Sequence, residues 1–211
     1  MYYYHMTSLN NLRSISKQGL IPQSGVNSKL IGDEKIKVFF SEGFEGAIAL
    51  FVDFQIVYDN VRAGQMTTTD EDTMKKIMDS KSLSEYLGEG VYLRFDGTEI
   101  ENQRNFENGC TDMTIPPEKL MVCILRRNDD HSVVYSRFEI MKYMMTQIQP
   151  EHIKYSGADY EGAPDVAEAT HRIQEKVKRY YKTHQNEISA YESQRYKLEF
   201  WLLDDFVHAF L

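Results

Sequence analysis

Tyr2-Tyr3-Tyr4-His5-Met6-Thr7-Ser8 opens the chain as an aromatic run ending in two hydroxyl residues, and it reads as a strand leading into a helix N-cap. Leu9, Leu12 and Ile15 then recur at helical spacing. Gly19 arrives where a left-handed residue would end the turn, and Leu20-Ile21-Pro22 leaves it in extended form.

Outward from this unit, residues 23–37 are polar and aperiodic and carry Gly25 and Gly32, so they read as a long loop of a kind that is often functional. Lys37-Val38-Phe39-Phe40-Ser41 reads as one short strand. Ala47, Leu50, Phe51, Phe54, Val57 and Tyr58 then form a single apolar stripe, predicting a helix from Phe44 to about Asp59. Residues 60–89 read as an insertion holding a helix that starts at Asp70 and a short turn near Leu83. Val91-Tyr92-Leu93-Arg94-Phe95 alternates as a strand with one buried face should, and the unbroken apolar run Leu120–Leu125 predicts a mid-sheet strand covered on both faces.

The last third changes character. Ser136 and Glu139 form a capping box before Phe138, Met141, Met145 and Ile148, and Pro150 follows that helix. Asp165 caps a long helix reaching Ile188, and a final helix is predicted to carry Leu198, Trp201, Leu202, Phe206 and Phe210. The expected organisation is a core over residues 1–130, with the insertion at 60–89, and a helical C-terminal region over 131–211 packed on the core or on a partner. A homo-oligomer formed through those helices is one form of that expectation.

Composition excludes several classes. The net charge of −8 argues against a general polyanion binder, whose affinity rests on clustered Lys and Arg. Cys110 and Cys123 supply neither a disulfide framework nor a four-cysteine zinc site. No run approaches the roughly 20 apolar residues of a membrane-spanning helix, and Met1–Met6 lack the regions of a signal peptide. The expected location is cytoplasmic, with no membrane partner.

Three segments in order resemble the ADP-ribosyltransferase-like superfamily, especially its His-Tyr-Glu branch and relatives such as the rifampicin-modifying enzymes. Tyr4-His5-Met6-Thr7-Ser8 with Asn11-Leu12 and Gly19-Leu20 resembles the family's first strand, helix and exit. Val38-Phe39-Phe40-Ser41 running into Gly46-Ala47 resembles the strand whose aromatic residue stacks on nicotinamide. Asp112-Met113-Thr114-Ile115-Pro116-Pro117-Glu118-Lys119-Leu120 resembles the stretch near the catalytic acid. The resemblance covers residues 2–125 and implies an α+β fold with a split mixed or antiparallel sheet flanked by helices, and NAD as substrate. It implies His5 and Thr7 as NAD contacts, Phe39 as the nicotinamide wall, Ser41 as a ribose or phosphate contact, and Asp112 or Glu107 as the acid. Phe39 stands where the family usually has Tyr, and Asp112 would replace the usual Glu.

The residue types suit that chemistry. Cleaving the bond between nicotinamide and ribose passes through an oxocarbenium-like state, which a nearby carboxylate stabilises. A neutral His donates from one ring nitrogen and accepts at the other. Phe39 stacks through its ring face but lacks the hydroxyl of Tyr, so binding without turnover is one expected outcome.

Each residue also has a plainer reading. Phe39 and Phe40 alternate along a strand, so one of them is core. Ser41 is equally a strand-end turn residue, and Asp112 equally caps the turn before Pro116. Glu168, His171 and Glu175 lack the second Glu-x-x-His step of a di-iron bundle and read as a solvent-facing ladder, as does the basic run Lys176, Lys178, Arg179 and Lys182. The function expected is ADP-ribosyl transfer from NAD to a protein, nucleic acid or small-molecule acceptor. The competing expectation is a non-catalytic nucleotide-binding or protein-interaction module that retains the fold.

Overall fold

The computed structural model describes residues 1–23, 36–66, 71–98, 109–153 and 166–211. In chain order the strands are β1 (Tyr2–Ser8), β2 (Val38–Phe39), β3 (Ser41–Glu42), β4 (Gly90–Asp96), β5 (Cys110–Thr111), β6 (Met121–Arg127), β7 (Val133–Val134) and β8 (Tyr196–Leu202). The helices are α1 (Leu12–Gln18), α2 (Gly43–Arg62), α3 (Glu71–Asp79), α4 (Leu83–Leu87), α5 (Arg137–Gln147), α6 (Val166–Thr183), α7 (Gln185–Ala190) and α8 (Leu203–Phe210). The fold is α+β, and the strand pairings are antiparallel.

The main sheet has the order β3-β1-β4-β6-β7, with β8 also pairing β6, and β2 and β5 form a separate two-stranded sheet. Leu125 pairs with Val134 of β7 and with Leu198 of β8, so those two strands flank β6 on opposite edges. This explains the unbroken apolar run there, because Val122, Cys123, Ile124 and Leu125 meet core on both faces. On one face, Tyr4, Met6, Tyr92 and Cys123 pack under α2 and α5. On the other, Tyr3, Leu93, Val122 and Ile124 pack with Leu12 and Ile15 of α1, Val38 of β2, and Leu203 and Phe206 of α8.

Four expectations change. β4 is buried on both faces, because it lies between β1 and β6 with core above and below. The single strand expected over 37–41 is two strands, one in each sheet, meeting at Phe40. The final helix expected to carry Leu198 through Phe210 is a strand followed by a helix, and β8 extends the ladder on β6 along its whole length. The C-terminal region therefore completes the main sheet and is not helical throughout. The long helix expected from Asp165 to Ile188 also breaks at His184, where α6 gives way to α7. Asp165, expected as a cap, and Asp70, expected to start a helix, lie outside the described residues.

Other local expectations match. Ser136 accepts a hydrogen bond from the Glu139 backbone N–H and starts α5. Gly19 ends α1 at φ 78°, and a Cβ there would stand 2.5 Å from the carbonyl oxygen of Ile115. Only glycine fits that turn and that approach. No helix among the described residues is long and apolar enough to cross a membrane.

Candidate functional site

The pleat of β1 sorts its side chains. Tyr4 and Met6 enter the core under α2, which leaves Tyr3, His5 and Thr7 on the face shared with the small sheet. His5 Nδ1 stands 2.6 Å from the Phe39 carbonyl oxygen. Because a carbonyl only accepts, Nδ1 carries the proton and Nε2 is the acceptor nitrogen of a neutral ring. Burial lowers the His5 pKa below its ordinary value, the Phe39 hydrogen bond works against that shift, and the Arg137 charge adds to it. Thr7 is buried and accepts from Asn11 Nδ2 at 3.4 Å.

The three segments that carry the resemblance meet around this point. His5 joins β1 to β2 through the Phe39 carbonyl. Phe39 in turn pairs with Cys110 of β5, and Phe40 N–H donates to the Gly109 carbonyl. Leu20, just past α1, bridges Ile115 by two backbone hydrogen bonds of 2.9 and 3.1 Å. Residues far apart in the chain are thus tied pairwise into one small region.

Phe40 is the core ring, 4.8 Å from the Tyr3 ring and edge-on to Phe95. Phe39 is half-buried and is the ring left to meet a ligand. Ser41 does not share the His5 face, contrary to expectation. It lies directly opposite Tyr4 in the ladder, so its side chain takes the Tyr4 side of the sheet, where a Cβ on Gly46 would come within 3.3 Å of the Ser41 Cβ. The crossing from the small sheet to the main one at Phe40 sets this orientation.

Asp112 is exposed and follows Thr111, the partner of Val38. Antiparallel pairing carries it past Val38 toward Lys37, in the direction away from Phe40. Glu107, the other acid expected here, lies outside the described residues. Cys110 and Cys123 are both buried and neither forms a disulfide, and burial raises the Cys123 pKa. No group of three or more His, Cys, Asp or Glu among the described residues is arranged to hold a metal ion.

Two cations near β1 were not singled out in the sequence. Arg137, the first residue of α5, is buried and donates to the carbonyls of Leu87 and Gly88 at the end of α4. Its pKa is lowered by burial. Arg94 lies over the Phe200 ring at 3.8 Å and the Tyr2 ring at 4.3 Å. An Arg inside an otherwise apolar strand and an Arg directly after a capping Ser were the only signals available.

His5 gives a pH prediction. The unfolded imidazole titrates near 6.5 and the folded one lower, so below about pH 6.5 the unfolded chain binds more protons. Stability is then full above that pH and falls on acidification toward the folded pKa, by at most about 1.4 kcal/mol per pH unit for this group. Urea unfolding from pH 8 to pH 5 should show a shallower acid slope in His5→Gln than in the wild type; equal slopes would place the acid sensitivity elsewhere.

No family model matches the chain, and neither a curated protein nor a solved structure matches it.

Proposed function

We propose that the protein is an ADP-ribosyltransferase-like enzyme that takes NAD as substrate on the face of β1 carrying His5 and Thr7. The supporting observation is the hydrogen bond from His5 to the Phe39 carbonyl, which ties together the strands expected to anchor and to wall the nucleotide. It presents His5 Nε2 as an acceptor, suited to a ribose hydroxyl, and holds the ring in one tautomer. Phe39 supplies a stacking face for nicotinamide. The carboxylate that stabilises developing positive charge on ribose comes from Asp112 or Glu107.

A second reading, a non-catalytic nucleotide-binding or protein-interaction module, is favoured by two observations. Ser41 turns to the opposite face of the sheet, and Asp112 runs away from Phe40. One experiment separates the readings: NAD binding by calorimetry together with free nicotinamide released. The enzyme reading expects release in the wild type, and a loss on the order of a hundredfold or more in Asp112→Asn or Glu107→Gln, whichever is the acid. His5→Ala should weaken NAD binding itself, and Phe39→Tyr should raise turnover if the missing hydroxyl limits it. NAD labelled in its adenylate part then tells whether protein, nucleic acid or a small molecule is the acceptor. Binding without release supports the module, as does neither binding nor release.

A further inference from the structure

β8 forms one border of the main sheet. Among the described residues β6 is the only strand paired with it, from Tyr196 to Leu202. Hydrogen bonds at its two ends fix which backbone groups face outward. The Arg195 carbonyl accepts from the Asn128 N–H at 2.9 Å, and the Leu203 N–H donates to the Leu120 carbonyl at 3.1 Å. The register between them runs without a bulge, so the odd-numbered residues turn their N–H and C=O to β6. Tyr196, Leu198, Phe200 and Leu202 turn theirs to the open edge.

The side chains alternate between the faces of the sheet. Tyr196, Leu198 and Phe200 pack on the core under α2 and α5. Lys197 and Glu199 stand on the other face, with Lys197 Nζ 3.3 Å from a Glu199 carboxylate oxygen. Proteins blunt an open edge with proline, a bulge, a very short strand or unpaired charge. β8 is seven residues long, has no Pro or Gly, and carries one Lys two places from one Glu.

Such an edge is complementary to itself. A two-fold axis normal to the sheet brings a second copy alongside antiparallel, and the outward groups join only in registers that set even residues opposite even ones. Centring on Lys197 or on Glu199 places like charges directly opposite, and centring on Phe200 leaves Lys197 opposite Leu203. Centring on Leu198 sets Lys197 of each copy opposite Glu199 of the other, in the closer positions that lack a hydrogen bond between them, and Tyr196 opposite Phe200. Glu199 is then held between Arg126 of its own chain, 2.9 Å away, and Lys197 of the second copy.

We propose that β8 is the seam of a symmetric homodimer in which two main sheets join edge to edge, with Leu198 on the two-fold axis and the Lys197 and Glu199 pairs fixing the register. β4 and β6 separate the seam from β1, and the inference does not rest on NAD use.

Sedimentation equilibrium of the full chain from about 1 μM to about 500 μM, a range that brackets a moderate Kd, is the first measurement. The mass should rise from 24.7 kDa toward twice that value. Lys197→Glu, at an exposed position, should fold as the wild type does and weaken the dimer on the order of tenfold or more, because carboxylates then oppose each other at both ends of the seam. Glu199→Lys should also weaken it, and an equimolar mixture of the two variants should dimerise, since an acidic edge then meets a basic one. Hydrogen exchange in the unmutated protein decides the matter even where Glu199→Lys fails to fold. The Leu198 and Phe200 amides should be protected at high concentration and lose that protection on dilution, whereas the Lys197 and Glu199 amides, bonded to β6, stay protected throughout. A monomer across the whole range, a dimer that Lys197→Glu leaves unchanged, or Leu198 and Phe200 exchange that ignores concentration would each overturn the proposal.

Discussion

Deleting residues 196–211 is expected to leave a chain that accumulates as an insoluble product and shows no cooperative melt. β8 pairs with β6 from Met121 to Arg127, so its removal strips one full edge from a strand whose residues Val122 to Leu125 are fully buried. An uncovered edge of apolar sequence is a template for pairing with other chains. The deletion also removes Leu203 and Phe206, both fully buried, from the core beside α1. Full burial of such side chains contributes about 1.5–3 kcal/mol each, against a total stability on the order of 5–15 kcal/mol. Soluble yield and far-UV circular dichroism with heating are the measurements. A soluble product with an unchanged melting temperature would mean that β8 and α8 contribute little to the fold.

The second large effect is expected from Phe206→Ala, with a loss of about 3–5 kcal/mol in urea unfolding. Phe206 is fully buried, 4.9 Å from the Phe210 ring and edge-on to Tyr135 at 6.3 Å, so truncation leaves a cavity among rings that cannot close over it. Leu202→Ala is the paired control. Leu202 is 51% exposed at the end of β8, so its loss should stay within about 0.5 kcal/mol. Similar costs for the two would contradict the assignment of strand followed by helix and would favour one continuous helix over 198–210.

That pair marks where sequence reading succeeded and where it stopped. Tyr2 to Pro22 was legible because each step has a local cause: aromatic β-propensity, helical spacing of Leu12 and Ile15, and a glycine at a left-handed turn. The helix over 43–62 was legible from its stripe, and the mid-sheet position of β6 from its unbroken apolar run. Leu198, Trp201, Leu202, Phe206 and Phe210 also fit a helical stripe, yet the first three lie in β8, where Trp201 faces α8 and Leu198 faces the opposite core. Short apolar runs fit both periods, and the free edge of β6 settles which one forms. The site divides in the same way. Residue types at His5, Thr7 and Phe39 were readable from the chain, but the Ser41 side chain was not, because its direction depends on a strand changing sheets at Phe40.

By itself, the sequence determined the α+β class, the local elements with strong propensity and caps, and which residue types stand at β1 and β2. The tertiary structure alone decided that β8 completes the main sheet and that His5 and Ser41 face opposite sides of it. The reason is physical: propensity, capping and turn chemistry act over a few residues, whereas strand partners and the faces they present are set by long-range pairing and burial.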